Sequence, residues 1–265
     1  MASLGVLLLA VTVALHLVAL TINAKQEILQ HFCLSEPGNF SENSAYKSNL
    51  NRLLSSLSSN TKINYGFYIA SSGQDPDIVR GMALCRGDVK PDICRGCIND
   101  SSLELSKLCP NQKEAVIWYD YCMLRYSNRY IFGSMEFGPY FWVYNTNNVS
   151  NWCQFNNVSR TLLDRLIKKA ASGGCHRKFA RGNRTTPSCQ TIYALVQCTP
   201  DLSEQQCIDC LNNATALIPT ACAGKQGCRV IAPSCNFRYE KDFIFYDTTA
   251  NHQGHGHLNC RQNKN

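Results

Sequence analysis

The sequence predicts an α+β protein of two tandem disulfide-rich domains, each an antiparallel β-sheet packed against two α-helices. That reading rests on a doubled cysteine pattern, on leucines at helical spacing ahead of each copy, and on aromatic and β-branched runs behind each. CRGDVKPDICRGC (85–97) and CTPDLSEQQCIDC (198–210) share the spacing C-x8-C-x2-C, and their flanks align as well.

Leu50, Leu53, Leu54 and Leu57 in 46–59, and Leu162, Leu163, Leu166 and Ile167 in 157–172, recur every three to four residues and predict an amphipathic helix opening each repeat. A second helix carries the last cysteines of each triplet. Pro91 suits a first helical turn, and Ser203 with Gln206 forms a capping-box pattern. Residues 115–127 and 229–240 are rich in aromatic and β-branched side chains and predict the closing strand of each repeat, with further strand candidates at 65–72 and 130–145. The polar segment 145–151 separates the repeats. The expected division is a signal peptide at 1–24, domain 1 at 25–146, domain 2 at 147–248 and a C-terminal tail at 249–265.

The first 24 residues carry no acidic or basic charge and hold an apolar run suited to a secretory signal. About 240 residues follow, natural for two domains of about 110–120 each. No later apolar run is long enough to span a bilayer after signal cleavage. All 16 cysteines follow the signal, and a secretory route turns such cysteines into bridges. Six sequons, at Asn39, Asn99, Asn148, Asn157, Asn183 and Asn213, fit the same secreted, extracellular route. The net charge of +7 is dispersed along the chain rather than gathered in a stripe, so no nucleic-acid partner is expected.

Three chemistries use such cysteine clusters. Cys94 with Cys97, and Cys207 with Cys210, have the spacing of thiol oxidoreductases, but a third cysteine nine positions earlier in each repeat competes for the pair. A structural zinc site needs two close chelating pairs, and each repeat offers one. Structural bridges fit best: Cys85 to Cys94, Cys97 to Cys122 and Cys33 to Cys109 in repeat 1, and Cys198 to Cys207, Cys210 to Cys235 and Cys153 to Cys222 in repeat 2. Cys175, Cys189, Cys228 and Cys260 have no assigned partners. No metal or cofactor is expected, the glycine-flanked His252, His255 and His257 reading as a solvated tail. No hydrolase elbow or zinc-peptidase motif occurs, so no catalytic residue is assigned and the binding class is preferred to an enzyme.

The doubled C-x8-C-x2-C, with QTIYALVQCTPDLSEQQCIDCL, GKQGCRV and PSCNFRYE, resembles the plant cysteine-rich repeat secretory proteins, which carry two ginkbilobin-homologous domains. The resemblance implies the α+β fold, three bridges per domain and an apoplastic role in defence. Ginkbilobin is a mannose-binding antifungal lectin that uses an asparagine after its first cysteine, an arginine before its last and a glutamate after it. The match implies that Arg229 and Glu240 take the latter two roles, and that Gln154 stands for the asparagine if Cys153 is the equivalent cysteine. Repeat 1 has Leu34, Val116 and Ser127 at the three positions, so the sugar site is expected in repeat 2 alone. The expected partners are mannose-containing glycans or, in the alternative, related extracellular receptor domains. A competing structural reading pairs Glu240 with Arg229 or Arg238 as a surface ion pair.

Overall fold

The computed structural model describes residues 27–60, 62 and 65–246; the signal peptide, the histidine tail and Cys260 lie outside the described residues. Two five-stranded antiparallel sheets are present. The first contains β1 (Ile28–Asn39), β2 (Phe67–Ser72), β3 (Val79–Cys85), β4 (Gln112–Tyr119) and β5 (Cys122–Ser127) in the order β1-β4-β5-β3-β2. The second contains β6 (Phe141–Tyr144), β7 (Lys178–Thr185), β8 (Thr191–Cys198), β9 (Cys228–Ile231) and β10 (Cys235–Glu240) in the equivalent order β6-β9-β10-β8-β7.

Helices α1 (Ala45–Ser58) and α2 (Pro91–Leu108) cover one face of the first sheet; α3 (Trp152–Ala171), α4 (Glu204–Ala216) and the single turn α5 (Ile218–Ala221) accompany the second. The expected leucines supply the buried stripes: Leu50, Leu53, Leu54 and Leu57 on α1, and Leu162, Leu163, Leu166 and Ile167 on α3. Local capping sets the helix starts. Ser44 accepts from the Lys47 amide at the start of α1, and Ser203 and Gln206 form both bonds of the capping box at the start of α4. The Asn151 side chain caps α3, so this helix begins at Trp152, several residues before the leucine pattern that announces it.

Each predicted closing strand is a hairpin of two strands. Residues 115–127 break at Asp120 and Tyr121 between β4 and β5, and 229–240 break between β9 and β10. In 130–145 only Phe141–Tyr144 is a strand, and it pairs with β9. The second sheet therefore takes its edge strand from residues that the sequence boundary at 146 assigns to domain 1. An edge strand needs only one partner, and here that partner lies beyond the polar segment.

A third apolar cluster joins the two halves. Phe67, Met82, Leu84, Val116, Trp118 and Met123, on the face of the first sheet away from its helices, pack with Ile131 and with Ile231 of β9. Polar contacts cross the same junction: Gln197 Nε2 donates to the Cys85 carbonyl at 2.8 Å, and the Glu136 amide donates to Ser234 Oγ at 2.9 Å. With helices on one face and the second repeat on the other, β5 is buried at all of its residues.

Five of the bridges join Cys33–Cys109, Cys85–Cys94, Cys97–Cys122, Cys198–Cys207 and Cys210–Cys235. The remaining assignment is corrected. Cys222 bonds Cys228, six positions on, whereas Cys153 is an exposed free thiol on the first turn of α3. The physical reason is that repeat 2 begins with an edge strand lacking a cysteine, and the residue at the position of Cys33 is Tyr144. Cys175 is also free and exposed, while Cys189 is disulfide-bonded. The cysteines of each CxxC belong to two different bridges and are buried, which leaves no exposed dithiol pair for exchange.

Candidate functional site

The strand β10 alternates as its sequence suggests, with Cys235, Phe237 and Tyr239 buried toward the helices and Asn236, Arg238 and Glu240 partly exposed on the other face. Arg229 on β9 lies directly across from Arg238, and Val143 on β6 lies across from Arg229. These strands floor a cleft of about 700 Å³ walled by Leu29, Asp120, Tyr121, Tyr144, Asn145 and Glu240, among others.

Asp120, on the β4–β5 turn of the first sheet, reaches into this floor. Its Oδ1 accepts from Arg229 Nη1 at 2.6 Å and from Arg238 Nη1 at 3.4 Å, and its Oδ2 accepts from Arg86 Nη1 at 3.0 Å. Burial alone would raise the Asp120 carboxyl; the Arg229, Arg86 and Arg238 guanidiniums outweigh it and hold the group below the usual carboxylate range. Arg229 is 7% exposed. Burial, aided by repulsion from Arg238 and Arg86 and opposed by Asp120, pulls it down to about 10, so it stays charged at neutral pH. Its Nε has no hydrogen-bond partner among the described residues.

Glu240 faces the opposite end of the cleft. Its Oε2 accepts from Asn145 Nδ2 at 3.2 Å, and Oε1 lies 3.9 Å from Arg238 Nη2. Gly227 makes this position available, because a Cβ there would collide with the Glu240 carboxylate. The ion-pair reading thus holds in altered form: the strong partner of Arg229 is Asp120 of the other repeat, and Glu240 is held mainly by an amide.

Arg229 and Glu240 therefore line one cleft, and Gln154 does not join them. Gln154 lies on α3, where its Oε1 accepts from Ser188 Oγ at 3.2 Å. The register explains the difference. Cys33 pairs with Ala115 and Leu34 with Glu114 in the first sheet; Tyr144 pairs with Cys228 in the second, so the counterpart of Leu34 is Asn145. The residue at that register position is thus Asn145 rather than Gln154. The signal that could have found it is FWVYN at 141–145, read as the edge strand of repeat 2 and its first following residue. Asp120 is the other residue of the cleft that sequence reasoning missed, and Arg238, read there only as an ion-pair partner of Glu240, lines it as well. All six sequon asparagines are exposed.

The Salt stress response/antifungal family matches residues 32–129 and again 143–242, the two sheets with their helices. The chain belongs to this family. Among relatives, cysteine-rich repeat secretory protein 38 of Arabidopsis thaliana is 42% identical over 212 residues, covering 80% of this chain and 83% of that protein. An antimicrobial ginkbilobin-2-like protein of Castanea crenata is 40% identical over 233 residues, 87% of this chain and 95% of that one. Cysteine-rich receptor-like protein kinase 29 of Arabidopsis thaliana is 46% identical over 216 residues, and the chain spans 32% of its length. The tandem DUF26 ectodomain of the Arabidopsis thaliana receptor-like protein PDLP5 superposes with a TM-score of 0.64 at 25% identity, covering 81% of this chain and 98% of that one. The family's secretory members agree with the extracellular location expected from the sequence, and no helix of the described residues is long and apolar enough to cross a membrane.

Proposed function

We propose that this chain is a secreted, non-enzymatic recognition protein of plant defence that binds a mannose-type carbohydrate in the cleft of repeat 2. The observation that carries the reading is the convergence of Asn145, Glu240 and Arg238 on one cleft beside the buried Arg229. A hexose presents hydroxyls that both donate and accept; the carboxylate accepts from them, the guanidinium donates, and the amide does either. The antimicrobial name of the chestnut relative supports the defence role. The test is titration of the glycosylated, disulfide-intact protein with mannose and with a glycan array, alongside Glu240→Gln and Asn145→Ala. Saturable binding lost in both variants supports the reading. Absence of binding by the unaltered protein, or binding indifferent to both substitutions, overturns it.

A second reading is favoured by a different observation. Asp120 takes the strongest donor of Arg229, and the edge strand β6 exposes Trp142 and Tyr144 beside the cleft. Such a surface suits pairing with a related extracellular receptor domain, without sugar. Capture of receptor ectodomains by the purified protein, weakened by Trp142→Ala with Tyr144→Ala and unaffected by Glu240→Gln, distinguishes it from the first.

A further inference from the structure

The equivalence of the two sheets brings a second cleft into view, where the sequence leaves repeat 1 without any of the three polar groups. At the counterparts of Asn145, Arg229 and Glu240 stand Leu34, Val116 and Ser127. Yet the carboxylate is not lost. Continuing the register one step past Ala115↔Tyr126 sets Glu114 opposite Ser127 on the β4–β5 hairpin, and one step past Cys228↔Tyr239 sets Gly227, just before β9, opposite Glu240 of β10. Repeat 2 puts a glycine just before the first strand and the carboxylate on the second; repeat 1 puts the carboxylate on the first strand and a small hydroxyl on the second. Ser127 Oγ donates to Glu114 Oε2 at 2.9 Å, so the acid occupies the same cross-strand pair in both repeats.

The guanidinium is supplied from a new place in the same way. Arg129, just past β5, donates from Nε to Glu114 Oε2 at 2.8 Å and from Nη2 to Oε1 at 2.5 Å, a bidentate pair. The Glu114 side chain is 5% exposed and that of Arg129 is 49% exposed, so the pair has a buried acid and an accessible base. Both line a cleft of about 760 Å³ with Asn128, Ser35, Glu36 and Pro139. Asn128 brings an amide whose buried oxygen has no hydrogen-bond partner among the described residues. The Cys33–Cys109 bridge closes one wall.

We propose that this cleft is a second binding site, in repeat 1, for a neutral hydroxyl-rich ligand. The charges argue against an anionic ligand. Glu114 and Glu136 are balanced by Arg129 and Arg125, which pairs with Glu136 at 2.8 Å, and Glu36 adds one carboxylate at the exposed rim. The one uncancelled carboxylate disfavours an anion, and carboxylate, guanidinium and amide offer directed acceptors and donors to hydroxyls. The proposal shares with the repeat 2 reading only its ligand class, since its residues are separate.

The test is shift mapping by NMR on the full disulfide-bonded chain, titrated with methyl α-mannoside and a panel of neutral monosaccharides. Expected are saturable amide shifts at 34–36 and 128–129 that persist in the Asn145→Ala, Glu240→Gln double variant and vanish in Ser35→Trp, which fills the mouth from an exposed position. Arg129→Ala is the second disrupting variant, and a preserved spectrum elsewhere shows that it folds. Shifts at repeat 1 without any at repeat 2 uphold this site and sink the repeat 2 reading. No saturable shift at 34–36 and 128–129 with any sugar, or shifts there that disappear with the repeat 2 double variant, overturns the proposal.

Discussion

The Asp120 carboxylate lies 2.6 Å from the Arg229 guanidinium across the junction of the two sheets, and it meets Arg86 and Arg238 as well. One acid on the hairpin turn of repeat 1 thus bridges three bases, two of which come from repeat 2. The contact fixes the cleft as a product of both repeats: its floor belongs to the second sheet and its acidic wall to the first.

Removing that acid leaves Arg229 buried and unpaired. Asp120→Ala is expected to lower the unfolding free energy by about 3 kcal/mol, toward the low end for breaking a buried pair because the Asp120 side chain keeps 37% exposure. Guanidinium unfolding followed by Trp fluorescence measures it, since Trp118 lies in the cluster that joins the repeats. An unchanged midpoint would refute the structural role of the pair.

The same pair sets an acid limit. The folded Asp120 pKa is depressed, so its stabilisation is fully present above the unfolded carboxylate value of about 3.9 and fades as pH falls through the lower folded value. Thermal midpoints of the unaltered protein and Asp120→Asn should therefore converge as pH drops below about 4 and separate, with the unaltered protein more stable, above it. A gap independent of pH contradicts the assignment.

The features that local pattern can encode are the ones the sequence displays. Leucine spacing, the capping box of Ser203 and Gln206 and the repeated triplets each depend on residues within one helix or its neighbouring loop. Strand β3 is hidden because it is buried on both faces, helices on one side and the other repeat on the second, which erases the alternation that marks a strand. The turn at Asp120 carries neither glycine nor proline, so a continuous strand is the natural reading and the residue that completes the cleft goes unnoticed. Asn145 is obscured for a related reason: its role follows from β6 pairing with β9, a contact between positions more than eighty residues apart.

Gly227 offers a local test of the cleft. A methyl group there collides with the Glu240 carboxylate, so Gly227→Ala should cost about 1–3 kcal/mol by overpacking and displace the acid from Asn145. Combined with Glu240→Ser, which recreates the small residue of repeat 1, most of that cost should disappear. A double-mutant cycle on unfolding free energies reads the coupling directly; additive effects would mean that Gly227 is not there to admit the carboxylate.

The corrected cysteine pairing leads to the last expectation. Helix α3 spans 20 residues, about 30 Å at helical rise, and holds Cys153 at its start while Cys175 follows its end. The two thiols are thus too far apart to bond each other within one chain and should both react with maleimide in native, unreduced protein. Cys153→Ser is expected to leave the thermal midpoint unchanged. Paired replacement of Cys222 and Cys228 opens a loop of separation 6 and should cost about 2 kcal/mol; the same for Cys33 and Cys109, of separation 76, should cost about 4–5 kcal/mol, because the longer closed loop removes more unfolded-state entropy. Peptide mapping after labelling decides the pairing: maleimide found on Cys228 in native protein, with Cys153 and Cys222 both protected, would restore the bridge that the fold excludes.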